Sequence, residues 1–119
     1  MKYVDGFLIP VPRKNLARYR RLAQKAAKIF RGHGALEVCE SVGDDLQPKL
    51  AVPFPRRLRL KRGETVVFSW VVFKSRASRD RVNARIMKDP RLADMMDPKD
   101  SPFDMKRMVY GGFKVMVDA

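Results

Sequence analysis

The most telling pattern in the chain is a run whose apolar residues occupy both parities, Glu64-Thr65-Val66-Val67-Phe68-Ser69-Trp70-Val71-Val72-Phe73. Read as a strand, it sends Val66, Phe68, Trp70 and Val72 to one face. Val67, Val71 and Phe73 go to the other, with Ser69 the one polar interruption. A strand with one wet side alternates polar and apolar residues, so this one is expected to be covered on both. Helices are the expected cover on one side. In a chain of 119 residues, a second copy of the protein is the expected cover on the other.

The remaining pattern predicts further elements. Tyr3 to Val11 reads as a strand with Tyr3, Asp5, Phe7, Ile9 and Val11 on one face, and its pairing is expected to fade at Pro10 and Pro12. From Arg13 to Arg31, Leu16, Tyr19, Ala23, Ala26 and Phe30 recur at helical spacing, with Leu22 and Ile29 beside them. Gly32 is the expected stop. A weaker strand follows from Ala35 to Val42. The connection from Gly43 to Gly63 is long for a compact domain and is expected to hold structure anchored by Phe54, Leu58 and Leu60. After the two-faced strand, Ser75 or Ser78 can cap a helix running to about Lys88, with Val82 and Ile86 inward. Asp89-Pro90 starts a short helical piece carrying Leu92, Met95 and Met96. A last strand is predicted from Arg107 to Val117, where Gly111-Gly112 marks a bulge or a close backbone approach.

Strand, helix, strand, strand, helix, strand is the ferredoxin-like βαββαβ order, an α+β fold with one antiparallel sheet and both helices on one side. Two such sheets face to face make a dimeric α/β barrel. The whole of residues 1–119 is read as one ferredoxin-like domain.

Particular residues also carry a resemblance. The pieces are Met1-Lys2-Tyr3-Val4-Asp5-Gly6-Phe7, Gly34-Ala35-Leu36, Val67-Phe68-Ser69-Trp70, Asp89-Pro90-Arg91, and the run from Pro102 to Phe113. In these the chain resembles the YbaA-like bacterial proteins, a family of unknown function. The resemblance implies a dimeric ferredoxin-like fold and supplies no activity, substrate, cofactor or catalytic residue. Between Gly43 and Arg62 the chain departs from the family by being more basic.

Charge changes the picture less than its size suggests. The chain has 26 basic and 13 acidic residues, a net of +13. Lys14, Arg18, Arg21, Lys25 and Lys28 form a basic stripe on the first helix, which makes a nucleic-acid or polyanion partner a rival reading. It ranks below a solvated helix face, because recognised nucleic-acid folds add exposed aromatics or a recognition helix. No apolar run reaches the ~20 residues needed to span a bilayer, and the N-terminal residues lack a signal-peptide pattern. Cys39 is the only cysteine, so the expected location is cytoplasmic and no intramolecular disulfide is expected. His33 is the only histidine, and with no matching ligand spacing no metal is expected. No cofactor motif is present.

The candidate chemistry gathers toward the C-terminus. Asp104, Arg107 and Tyr110 place a carboxylate, a guanidinium and a phenol within seven positions, a set suited to an anionic or carbonyl-bearing ligand. The alternative is that Asp104 and Arg107 pair to fix a turn. Asp5, if buried, would have a raised pKa and serve as a base, or else bond within the structure. Trp70 is read as a pocket wall or as core. Six of the seven methionines follow residue 86, namely Met87, Met95, Met96, Met105, Met108 and Met116, and would line a flexible apolar cavity or fill an irregular core. Together these point to a small organic ligand bound by Trp70, Asp104, Arg107, Met108 and Tyr110. By analogy with dimeric α/β barrels, the alternative is a cofactor-independent monooxygenase or isomerase-like enzyme using Asp5, Arg107 and Tyr110, with Trp70 as a fourth candidate.

Overall fold

A computed structural model describes residues 1–95 and 97–119, so the expectation for Met96 lies outside the described residues. The elements are β1 (Tyr3–Pro12), α1 (Leu16–Gly32), β2 (Glu37–Val42), α2 (Phe54–Arg57), β3 (Glu64–Phe73), α3 (Arg76–Met87), α4 (Pro90–Met95) and β4 (Val109–Lys114). The four strands form one antiparallel sheet in the order β2-β3-β1-β4. With α1 and α3 packed on one side, this is the ferredoxin-like α+β arrangement expected from the sequence. The sheet is open, and one chain does not close a barrel.

The helix-covered side holds the core. Tyr3, Val71 and Phe73 of the sheet pack against Ile29 of α1 and against Val82 and Ile86 of α3. A second cluster joins Ile9, Val11 and Val67 to Tyr19. Each contributor comes from an inward position of a strand or from the apolar stripe of a helix, so period-two and 3.6-residue patterns converge on one layer. The other side of β3 is less covered than the sequence suggested. Val66 is shielded by the 43–58 segment, while Phe68 is 46% exposed and Trp70 and Val72 are half-buried.

Several details depart from expectation for identifiable reasons. Pairing of β1 with β3 does not fade at the prolines but continues to Pro12 opposite Glu64. The Arg13 N–H points to β3, reaching the Gly63 carbonyl at 2.8 Å, so N–H groups at even positions would point toward β4. β4 reaches only as far as Leu8, so Pro10 and Pro12 lack donors where no partner strand stands. Helix α1 runs through Gly32, and the left-handed residue behind it is Gly34, at φ +119°. The last strand is shorter than predicted, and Gly111-Gly112 pairs regularly without a bulge. The close approach is real, because a Cβ at Gly112 would sit 2.5 Å from the Tyr3 hydroxyl oxygen. Between β2 and β3, α2 supplies the structure expected in the long connection. No helix among the described residues is long and apolar enough to cross a membrane.

Candidate functional site

The structure distributes the sequence-chosen residues over three places. The first is built on Asp5, which faces the helices from mid-β1 and is 2% exposed. The Ser75 hydroxyl caps α3 by accepting from the Ser78 N–H at 3.1 Å. Arg79 and Asn83 lie one turn apart on α3, on the side toward the sheet. Arg79 Nη1 donates to Asp5 Oδ1 at 2.9 Å and to the Tyr110 hydroxyl at 2.9 Å, and Asn83 Nδ2 donates to Asp5 Oδ2 at 3.5 Å. The guanidinium also lies 4.8 Å from the Tyr3 ring centre, and Tyr110 stacks on Phe7 at 4.8 Å. Burial raises the pKa of Tyr110, and the negative charge of Asp5 adds to the effect. Burial opposes the Arg79 charge, but Asp5, Asp80 and the tyrosines together hold its pKa above the usual value. Asp5 thus works inside a closed network joining β1, α3 and β4.

Arg107 stands elsewhere. It grips Glu64 with two hydrogen bonds, Nη1 to Oε2 at 2.6 Å and Nη2 to Oε1 at 2.9 Å, and also reaches the Arg59 carbonyl at 3.2 Å. Asp104 does not pair with its side chain; instead it caps the turn before β4 by accepting from the Lys106 N–H at 3.0 Å. Hydrogen bonding from Arg107 is the main cause holding the Glu64 carboxyl below its usual pKa, against a raising effect of burial and with help from the Lys61 N–H. A carboxylate depressed in the folded state adds stability above its unfolded pKa of ~4.3 and loses it as pH falls through the folded value. Arg107→Gln is therefore expected to lower the denaturation midpoint at pH 7 and to narrow its gap from the parent below pH 4. A gap independent of pH would show that the pair has no such role.

Trp70 lies on the opposite, open face, where its indole N–H donates to Glu37 Oε2 at 2.9 Å. Among the described residues the methionines do not gather either: Met87 and Met116 are exposed, while Met95 and Met108 pack at the margins of different core clusters. Arg18, Arg21, Lys25 and Lys28 are exposed on α1, and Lys14 is exposed in the 3-10 turn Arg13–Asn15 just before it. That stripe faces away from the sheet, so it and the open-face aromatics Phe68 and Trp70 lie on opposite sides of the molecule and form no joint footprint. Among the described residues, no three His, Cys, Asp or Glu side chains gather as metal ligands.

A hollow lies where no candidate was placed, between α1 and the edge strand β2. It has a volume of about 540 Å³ and is walled by Leu16, Ala23 and Ala27 from the helix and by Val38, Val42 and Val67 from the sheet. Ala23 and Ala27, four residues apart on one side of α1, line the gap and are too small to fill it. On the sheet side of the groove, the exposed Glu40 turns its carboxylate inward, Oε1 accepting from the Tyr19 hydroxyl at 2.6 Å and Oε2 from the Ser69 hydroxyl at 2.8 Å. Burial, reinforced by the Glu40 charge, pushes the Tyr19 phenol far above its ordinary pKa. Volume, apolar walls and a few convergent polar groups are the usual makings of a small-molecule site. Two sequence signals pointed here: Glu40 is the polar residue between Val38 and Val42 on the inward side of β2, and Ser69 is the polar interruption of β3.

Comparison with known proteins places the chain. The family described as "Protein of unknown function (DUF1428)" matches residues 2–105. The chain belongs to the DUF1428 family. "Uncharacterized protein YbaA" of Escherichia coli strain K12 is 40% identical over 118 residues, covering 99% of each chain, and the protein of that name in Shigella flexneri matches equally. This DUF1428 chain is also similar to a crystal structure described as a dimeric ferredoxin-like protein from an uncultured marine organism. The TM-score is 0.62 at 12% identity, over 99% of this chain and 98% of the other. At that identity the likeness shows the fold alone, in agreement with the strand order.

Proposed function

We propose that the protein binds a small organic molecule in the groove between α1 and β2, and that it does so in the cytoplasm as a homodimer joined through the open face of the sheet. The observation that carries the ligand reading is the apolar groove with one carboxylate held on its sheet side by Tyr19 and Ser69. The dimer reading rests on the open face. Phe68, Val109 and Phe113 are large apolar side chains exposed there, and such a patch marks an interaction surface. The fold neighbour is itself described as dimeric.

Catalysis at Asp5, Arg107 and Tyr110 has less support. The Asp5 oxygens are taken up by Arg79 and Asn83, and Arg107 is committed to Glu64. A binding groove needs no such free groups.

Native mass spectrometry on protein purified without denaturation tests both parts. The expected species is a dimer carrying a small adduct, and Ala23→Trp, which fills the groove, is expected to keep the dimer and lose the adduct. A monomer at micromolar concentration would sink the dimer reading. An adduct that survives Ala23→Trp would move the ligand elsewhere.

A further inference from the structure

Resting on that assignment of the groove, we infer that its occupant presents a hydrogen-bond-donating head, best a cationic amine, to Glu40 and lays an apolar body against Ala23, Ala27 and Val38. The argument is one of hydrogen-bond capacity. A hydroxyl has a single proton to give, and a carboxylate has about four acceptor positions. Tyr19 and Ser69 both spend their protons on Glu40. What these three groups still offer the groove is therefore lone pairs alone. A ligand carboxylate or phosphate would meet them acceptor to acceptor, whereas an ammonium or hydroxyl would fill the vacant directions.

Charge points the same way. Among the described residues no lysine, arginine or histidine forms an ion pair with Glu40. Its two partners are neutral hydroxyls, and the high pKa of Tyr19 keeps that phenol protonated. Covering the groove with an apolar body would leave this carboxylate uncompensated and costly. A cation brought by the ligand removes that cost. Arg20 and Gln24 also line the helix side, but neither is among the hydrogen-bond partners of Glu40, which are Tyr19 and Ser69. The long-range field of a chain with net charge +13 favours anions. A preference for an amine would thus run against the global charge and report the local carboxylate.

Three probes with one body separate the possibilities: phenethylamine, 2-phenylethanol and phenylacetate, titrated while amide chemical shifts of the intact protein are followed. The amine is expected to bind most tightly, then the alcohol, with shifts centred on Ala23, Ala27 and Val38. Glu40→Gln keeps the side chain's size and is expected to weaken the amine by about tenfold or more, the scale of a lost charge-assisted hydrogen bond. It should narrow the gap between amine and acid. Ala27→Trp is expected to abolish binding of all three.

Phenylacetate binding in the groove as tightly as the amine, unchanged by Glu40→Gln, overturns the donor-head inference and leaves the groove reading standing. Probe binding that persists in Ala27→Trp, or amine shifts located away from the groove, overturns the groove reading itself. Because Glu40 is exposed and Gln preserves its shape, a folded amide spectrum for that variant is the expected control.

Discussion

Asp5→Leu is expected to destabilise the protein by about 3–5 kcal/mol, the range found when one partner of a buried ion pair is removed. Asp5 is almost wholly buried, and its Arg79 partner is only 13% exposed along the side chain. Without the carboxylate, the guanidinium keeps its contacts to Asp80, Tyr110 and Tyr3 but loses the one charge that faces it from the sheet. Arg79→Leu should cost a similar amount, since it leaves a buried carboxylate with Asn83 as its remaining side-chain partner. The double variant Asp5→Leu/Arg79→Leu is expected to recover much of the loss, because a paired charge is often no better than two apolar groups in the same space. Urea denaturation of the three variants checks this through the coupling between the two sites. Additive losses, or an Asp5→Leu cost under ~1 kcal/mol, would show that the pair does not act as a buried unit.

That network also shows where reading the chain succeeds and where it stops. Element order, sheet type and the two-faced character of β3 follow from local periodicity, since an inward residue is apolar wherever the strand is packed. Asp5 could be singled out as a polar residue in an apolar strand, yet its partner on α3 lies 74 positions away. Nothing local announces that separation. Asp104, Arg107 and Tyr110 are neighbours in sequence, and the Arg107 N–H even donates to the Asp104 carbonyl at 3.1 Å, but their side chains take three different sets of partners. Arg107 sits in a turn beside the start of β3, and Tyr110 follows on β4 with its side chain under α3. Closeness along an irregular segment says little about convergence. The groove was hidden for a related reason. It arises from two alanines that fail to fill a gap, and a sequence displays residues rather than spaces.

Two substitutions on one strand turn this face logic into a measurement. Val71 is 3% exposed and packs with Tyr3, Phe73 and Ile29 on the helix side of β3. Val71→Lys puts an unpaired ammonium there, and a loss above ~4 kcal/mol is expected, enough to unfold a domain of ordinary stability. Phe68 lies three residues earlier on the opposite face, where one chain leaves it 46% exposed. Phe68→Lys is therefore expected to change the monomer's stability by no more than ~1 kcal/mol, as surface substitutions do. Its effect should fall on assembly, because two copies would bury like charges against each other across the open sheets. Circular dichroism should find Val71→Lys unfolded and Phe68→Lys folded, and light scattering should find Phe68→Lys monomeric where a dimer is expected of the parent. A folded Val71→Lys would remove the case that α1 and α3 seal that side of the sheet. A dimeric Phe68→Lys would put the partner on another surface. The pair of results distinguishes what the chain buries within itself from what it offers to a second copy.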